Sequence, residues 1–200
     1  MALKARQGVA DLMVEQRVVR EDMSDVEPDG KEIGEIVIRG NAVMKGYYRD
    51  PKATQKAFRG GWFHTGDLAV LHPDGYVEVK DRVKDVIISG GENLSSLEVE
   101  WVIYTHPAVL EAAVVSSPHE RFGEVPKAFV VLKPNVGLTA ETLYAYCRER
   151  LAGFKCPRRI EFVDELPKTS TGKVQKYVLR EREWKSQEGS DHGTANGRAI

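Results

Sequence analysis

The chain has 200 residues, 29 of them basic and 30 acidic, for a formal net charge of −1. So even a balance supplies no global field for nucleic acid or an anionic membrane, and any polyanion has to be bound locally. No apolar run approaches the ~20 residues of a membrane-spanning helix, residues 1–14 lack the apolar stretch of a secretory signal, and two cysteines, Cys147 and Cys156, do not make a secreted disulfide framework.

In chain order, residues 1–30 read as irregular, and the acid-, Pro- and Gly-rich "SDVEPDGKEIG" (24–34), which begins within them, reads as loop. Residues 35–39 alternate and are β-branched, which predicts a strand. Asp50 and Pro51 have the chemistry of an N-cap and first helical position, and the short helix they open is stopped after Phe58 by Gly60 and Gly61. Residues 67–82 predict two strands joined at Pro73-Asp74-Gly75.

Beyond Arg82 the pattern becomes alternating strands and helices. Residues 86–88 predict a buried strand and 89–93 a sharp loop. Ser95 with Glu98 then forms a capping box, flanked by Leu94 and Val99 as a hydrophobic staple, so a helix runs from Ser96 to about His106 before Pro107. Strands are expected at 109–115, 127–132 and 159–163. Thr139 caps a helix whose apolar face is Ala140, Leu143, Tyr144, Cys147 and Leu151. A short helix at 174–184 precedes a polar, aperiodic 185–200 that is expected to be disordered.

Between the last strand and last helix lies "PKTSTGKVQK", residues 167–176. A Gly-Lys pair in a polar turn suggests phosphate, but the phosphate-loop pattern G-x-x-x-x-G-K-[ST] fails twice: Pro167 stands where the first glycine belongs, and Val174 follows Lys173. Taken alone the stretch is a solvated basic turn, with Lys168, Lys176 and Arg180 around Lys173. The five histidines are too scattered to form a metal cage, and Cys147 falls on an apolar helix face rather than in a nucleophile's setting.

Four features in fixed order change this reading: "GEIVIRGNAVMKGYY" (34–48), "GWFHTGDLAVLHPDGYVEVKDRVKDVIISGGENLSSLEVE" (61–100), "GFKCPRRIEFVDELPKTSTGKVQK" (153–176) and the strand-helix pattern between them. Together they resemble the C-terminal part of the adenylate-forming superfamily of acyl-CoA synthetases, luciferases and peptide-synthetase adenylation domains. Within it the chain is most similar to plant acyl-activating enzymes of the acid-CoA ligase kind, which "KARQGV" (4–9) also resembles.

The resemblance implies an α+β fold. Residues 1–81 would be the end of a large nucleotide-binding domain, 82–84 a hinge and 85–184 a small lid domain with a three-stranded sheet and flanking helices. It implies ATP and CoA as co-substrates of a carboxylic acid, with Mg2+ carried by ATP and no metal ligand in this chain. Asp67 would accept hydrogen bonds from the ribose hydroxyls, and Arg82 would reach ribose oxygens with its guanidinium fork. The alternatives are a turn residue for Asp67 and a surface ion pair with Asp81 or Asp85 for Arg82. Lys84 would be the hinge residue. Gly90 and Gly91 would let the backbone approach the pantetheine arm closely, or simply make a tight turn. Lys173 would contact the substrate carboxylate and α-phosphate oxygens during adenylation only.

No "SGTTG"-like phosphate loop and no "YGxTE"-like run occurs in the sequence. The isolated chain is therefore expected to be inactive, a truncated ligase with exposed apolar surface on strands such as 35–39. A non-catalytic lid-domain protein that binds CoA, a nucleotide or a partner ligase is the alternative. The expected compartment is the cytoplasm, since Arg198-Ala199-Ile200 is not an S-K-L address, with a peroxisome or other organelle open to a full-length form.

Overall fold

The computed structural model describes residues 6–191, with side chains to residue 185. The chain divides into two compact units, Met1–Lys84 and Asp85–Ile200.

The first unit is an antiparallel sheet in the order β1 (Val14–Val19), β2 (Ile33–Gly40), β3 (Phe63–Leu71), β4 (Val77–Arg82), with helix α1 (Pro51–Ala57) inserted between β2 and β3. Asp50 caps α1 by accepting the Ala53 N–H at 2.9 Å. The β3–β4 turn has the expected chemistry: the Gly75 N–H donates to the His72 carbonyl at 2.9 Å, and Gly75 takes a φ of +82°. Val18, Val26, Ile36, Ala69 and Val77 form the core.

Three expectations for this unit change. Residues 14–19 are a strand, not irregular chain. Its inner residues Gln16 and Arg17 hide the alternation, because an edge strand can direct polar side chains to its surroundings. Arg17 lies over the Trp62 ring at 5.2 Å and pairs with Asp25 at 2.7 Å. β3 begins at Phe63, ahead of the expected Asp67, since Phe63 and His64 pair with Ile38 and Val37 of β2. Finally, residues 35–39 are not an exposed apolar strand. β2 is interior to the sheet and Ile36 and Val37 are buried, while the exposed large side chains include Ile33 at the start of β2 and, outside it, Leu12, Met13, Tyr47 and Tyr48.

In the second unit β5 (Ile87–Ser89) and β6 (Glu92–Leu94) form a hairpin, followed by α2 (Ser96–Tyr104), β7 (Val109–His119), β8 (Gly123–Leu132), α3 (Ala140–Arg148), β9 (Arg159–Phe162) and α4 (Lys176–Asp191). β7 pairs antiparallel with β8 along nearly its whole length. The other edge of β8 takes β9 in parallel and, at Gly123, Ser89 of β5. The sheet thus has five strands rather than three, because the hairpin joins it. Glu92 and Asn93 carry no strand signal of their own, so β6 looked like loop; its pairing with β5 is what makes it a strand.

β7 and β8 are covered on both faces, with alternate residues in different cores. Ala112, Val114, Ala128 and Val130 pack with Leu94, Val99 and Ile103 around α2 and with Leu143 and Cys147 of α3. Ala113, Val115, Phe129 and Val131 pack on the opposite face with Leu166, Val174 and Leu179. The staple residues Leu94 and Val99 are both fully buried, and Ser95 accepts the Glu98 N–H at 3.3 Å. On α3, Tyr144 is exposed, contrary to the expected apolar face. Tyr146 packs instead, its hydroxyl 3.0 Å from Thr105 Oγ1.

α4 runs past Trp184 to Asp191, since Lys185, Gln187 and Glu188 are good helix formers even without an apolar stripe. The rest of the expected disordered tail, 192–200, with Arg198-Ala199-Ile200, lies outside the described residues. Among the described residues no helix is long and apolar enough to cross a membrane.

Candidate functional site

The sequence-designated residues fall into two groups, one in each unit. In the first unit Asp67 and Arg82 are direct cross-strand partners on β3 and β4. Arg82 Nε donates to Asp67 Oδ1 at 3.2 Å, with the side chains 58% and 32% exposed. An ion pair this open is worth only about 0–1 kcal/mol, so a ligand that separates the two groups gives up little. Neither partner first considered for Arg82 takes its guanidinium. Buried Asp81 accepts the Arg82 backbone N–H at 2.7 Å, and Asp85 pairs with Arg180 at 2.8 Å.

The turn that presents Asp67 is fixed from below by Glu35 on β2, a residue the sequence reading left without a role. Glu35 Oε1 accepts the Gly66 N–H at 3.1 Å, while Oε2 lies 2.7 Å from His64 Nδ1 and 3.9 Å from Arg59 Nη2. Because a carboxylate can only accept, His64 Nδ1 is the donor. Thr65 Oγ1 donates to the Ile36 carbonyl at 2.8 Å and accepts the Asp67 N–H at 3.1 Å. Gly66, at φ +74°, supplies the left-handed step between Thr65 and Asp67, and its carbonyl accepts the Val83 N–H at 2.9 Å. The "GEIVIRG" and "HTGD" stretches are therefore one hydrogen-bonded cradle.

Lys84 is exposed at the end of the first unit. Immediately before it Val83 is tied back to Gly66, and immediately after it Asp85 is tied to Arg180 of α4.

In the second unit Gly90 and Gly91 are the two central residues of the β5–β6 turn, at φ +62° and +89°. Positive φ at both positions is the geometry that matches the twist of a two-residue hairpin. A side chain on Gly90 would sit 3.2 Å from the Phe122 ring, whereas Gly91 faces open space. The turn reading and the close-approach reading are thus compatible, and Gly91 is the residue with room beside it.

Lys173 lies on a miniature hairpin. Lys168 and Val174 are bridged, the Thr169 N–H donates to the Lys173 carbonyl at 2.8 Å, and Gly172 takes a φ of +83°. Thr169 Oγ1 accepts the Lys173 N–H at 3.1 Å and lies 2.9 Å from Thr171 Oγ1, so the hydroxyls of the loop brace its own backbone.

The basic run around Lys173 is resolved by its partners. Lys168 pairs with Glu111 at 2.6 Å, Lys176 with Glu100 at 2.7 Å, and Arg180 with Asp85 at 2.8 Å. Lys173 is exposed and, among the described residues, its ammonium makes no hydrogen bond or ion pair. A solvated basic turn would leave several of these cations unpaired; this loop leaves one. Glu100 and Glu111 were missed because partners distant in sequence carry no local signal.

Neither cysteine is suited to nucleophilic work. Burial, with Cys156 as a lesser contributor, pushes the Cys147 thiol up to about 11. Burial also raises Cys156, so both stay protonated.

Residues 98–173 match the AMP-binding enzyme C-terminal domain. The chain is 55% identical over 185 residues to an acetate–CoA ligase of Humulus lupulus, covering 89% of this chain and 32% of that protein. It is 51% identical over 181 residues to a peroxisomal trans-cinnamate:CoA ligase of Petunia hybrida, covering 90% and 32%. It thus spans about a third of the length of these curated relatives.

Among solved structures it superposes on ATP-bound MatB of Rhodopseudomonas palustris with a TM-score of 0.83 at 38% identity, over 89% of this chain and 35% of that one. The o-succinylbenzoate CoA synthetase of Bacillus subtilis, in complex with its acyl-adenylate intermediate, gives a TM-score of 0.82 at 38% identity, over 90% and 36%. Residues 98–173 are thus an AMP-binding enzyme C-terminal domain, and over about a third of their length the curated CoA ligases and the solved acyl-CoA synthetases are what this chain is similar to.

Proposed function

We propose that this chain carries the ribose-binding strand pair, hinge and lid of an AMP-forming acid–CoA ligase. The reaction is carboxylic acid plus ATP plus CoA to acyl-CoA, AMP and pyrophosphate. The substrate carboxylate attacks the α-phosphorus of ATP and the bond to pyrophosphate breaks. The CoA thiol, losing its proton, then attacks the acyl carbon and AMP leaves with the bonding electrons. Mg2+ enters on ATP.

Residues 1–81 are assigned to the nucleotide-binding domain, 82–84 to the hinge about Lys84, and 85–184 to the lid. Asp67 receives the ribose hydroxyls. Its Oδ1 is shared with Arg82, while Oδ2 makes no hydrogen bond among the described residues, and Arg82 turns from Asp67 to the ribose at little cost. Gly91, with open space beside it, faces the pantetheine arm alongside Gly90. Lys173 stabilises the charge that builds on the carboxylate and α-phosphate oxygens.

The observation that supports this reading most is the contrast between Lys173 and its neighbours, since among the described residues it is the cation of the loop left without a partner. The relatives' printed names include acetate, trans-cinnamate, butyrate and benzoate, which supports a short- to medium-chain or aromatic acid. Several of those names also say peroxisomal, favouring that organelle over the cytoplasm for a full-length form.

The test is to sequence the transcript upstream of Met1 and assay its product against an acid panel by ATP–pyrophosphate exchange. Lys173→Ala should lower exchange about 100- to 1000-fold, the usual cost of removing such a stabilising donor, while thioester formation from supplied acyl-adenylate persists. Intact adenylation with a failed thioester step would reverse the role given to Lys173. CoA or nucleotide binding without exchange with any acid would favour a non-catalytic lid protein.

A further inference from the structure

Lys176 opens α4 just beyond Lys173, yet it is not a solvated residue. Its ammonium lies 2.7 Å from Glu100 Oε1 and 2.8 Å from Ser96 Oγ, and the Lys176 and Glu100 side chains are only 15% and 10% exposed. Glu100 Oε1 also accepts the Val114 N–H at 2.7 Å. β7 is the edge strand of its sheet, so this N–H has a carboxylate as its acceptor where an inner strand would have a neighbouring strand. Glu100 arrives on α2 from one face of the sheet and Lys176 on α4 from the other. Their ion pair closes over the edge of β7.

The opposite limb of the hairpin is held by the same strand, through Lys168 and Glu111 at 2.6 Å. Leu166 and Val174 pack its base into the core beneath. The backbone that carries Lys173 is thus fixed on both limbs, while among the described residues its side chain has no partner to hold it.

We propose that Lys176 and Glu100 are positioning residues for Lys173, their clasp over the edge of β7 holding the limb of the loop that leads out of it. The inference rests on the reading of Lys173 as the adenylation lysine. A long side chain that meets charge only as it develops depends on its backbone for placement. Misplacement of about 1 Å can cost about 100-fold in rate.

Two measurements separate the clasp from the adenylation role. In the chain itself, amide hydrogen exchange is read at Lys173, which donates to Thr169 Oγ1, and at Gln175, which donates to the Pro167 carbonyl. Lys176→Met should speed exchange at both by about 10-fold or more, leave the β7–β8 amides unchanged, and be rescued by Lys176→Arg. Glu100→Gln keeps an acceptor for Val114 and serves as the second variant should Lys176→Met fold poorly.

In the full-length ligase, Lys176→Met should lower kcat for adenylation about 10- to 100-fold. KM for ATP and the thioester half-reaction should not change, and Lys176→Arg should recover most of the rate. Unmoved loop amides overturn the clasp whatever the activity. Faster loop exchange with full adenylation overturns the positioning role of Lys176 and Glu100, while the role of Lys173 itself is decided separately by Lys173→Ala. Equal loss in both half-reactions, with β7–β8 exchange also accelerated, marks general destabilisation and overturns the proposal.

Discussion

Glu35→Ala removes the acceptor shared by the Gly66 N–H and His64 Nδ1, contacts of 3.1 and 2.7 Å made by a side chain that is 19% exposed. Hydrogen bonds to a charged group contribute about 1.5–3 kcal/mol each, and a buried donor left without an acceptor costs a comparable amount. Because this site is partly open and water can reach some of the released donors, the expected loss is about 2–3 kcal/mol. That corresponds to a fall of about 1–2 M in the urea midpoint of a small unit. The probe is Trp62, which lies beneath Arg17 and Arg39 at 5.2 and 4.5 Å, in a background where Trp101 and Trp184 are Phe. Glu35→Gln retains an acceptor oxygen for Gly66 and should lose about half as much. A Glu35→Ala midpoint within about 0.3 M of the parent would refute the claim that Glu35 holds the turn presenting Asp67.

The two turn glycines should separate by what surrounds them. Gly91→Ala, with open space at its Cβ but φ at +89°, should cost about 1–2 kcal/mol of backbone strain alone. Gly90→Ala should cost more in thermal denaturation, because its Cβ also meets Phe122 at 3.2 Å, and Phe122→Ala should remove the excess. The Cys147 thiol, raised from 9.0 to about 11, is favoured neutral in the folded state. Its contribution is therefore complete below pH 9 and is lost as pH rises from 9 to 11, about 2–3 kcal/mol at most. Denaturation midpoints should decline over that window, less steeply in Cys147→Ala. An unchanged slope in that variant would show that Cys147 does not carry the effect.

Local chemistry was legible in the sequence wherever a few adjacent residues decide the backbone. The Asp50 and Ser95 caps, the Leu94–Val99 staple and the Pro73-Asp74-Gly75 turn all formed as their residue types require. The strands expected at 109–115 and 127–132 formed too, but longer, as β7 and β8, and the short apolar runs 112–115 and 128–132 within them suit burial on both faces. Pairing decided what local signals could not. β1 became a strand through β2, β6 through β5, and β8 gathered β5 and β9 on one edge.

The candidate site divides the same way. Asp67, Arg82, Gly90, Gly91 and Lys173 could be singled out because each sits in a recognisable run. Glu35, Glu100 and Glu111 act across strands, and a lone glutamate in an ordinary strand or helix carries no mark of its distant partner. Within "PKTSTGKVQK", only the partners distinguish Lys173 from Lys168 and Lys176.

The alternation along β7 also limits which length changes the chain can tolerate. Ala113 and Val115 face one core, Ala112 and Val114 the other, and the Val114 N–H and Glu111 carboxylate are both engaged. Adding or deleting one residue between Glu111 and Val115 would exchange the two cores' side chains. It would also carry Glu111 away from Lys168 and present a different N–H to Glu100. Substitutions here can be absorbed one at a time, whereas a single-residue insertion or deletion strikes both cores and both limbs of the lysine loop together. Variation in length among sequences of this kind should therefore collect in the connections, such as residues 133–138 between β8 and α3, and avoid this strand.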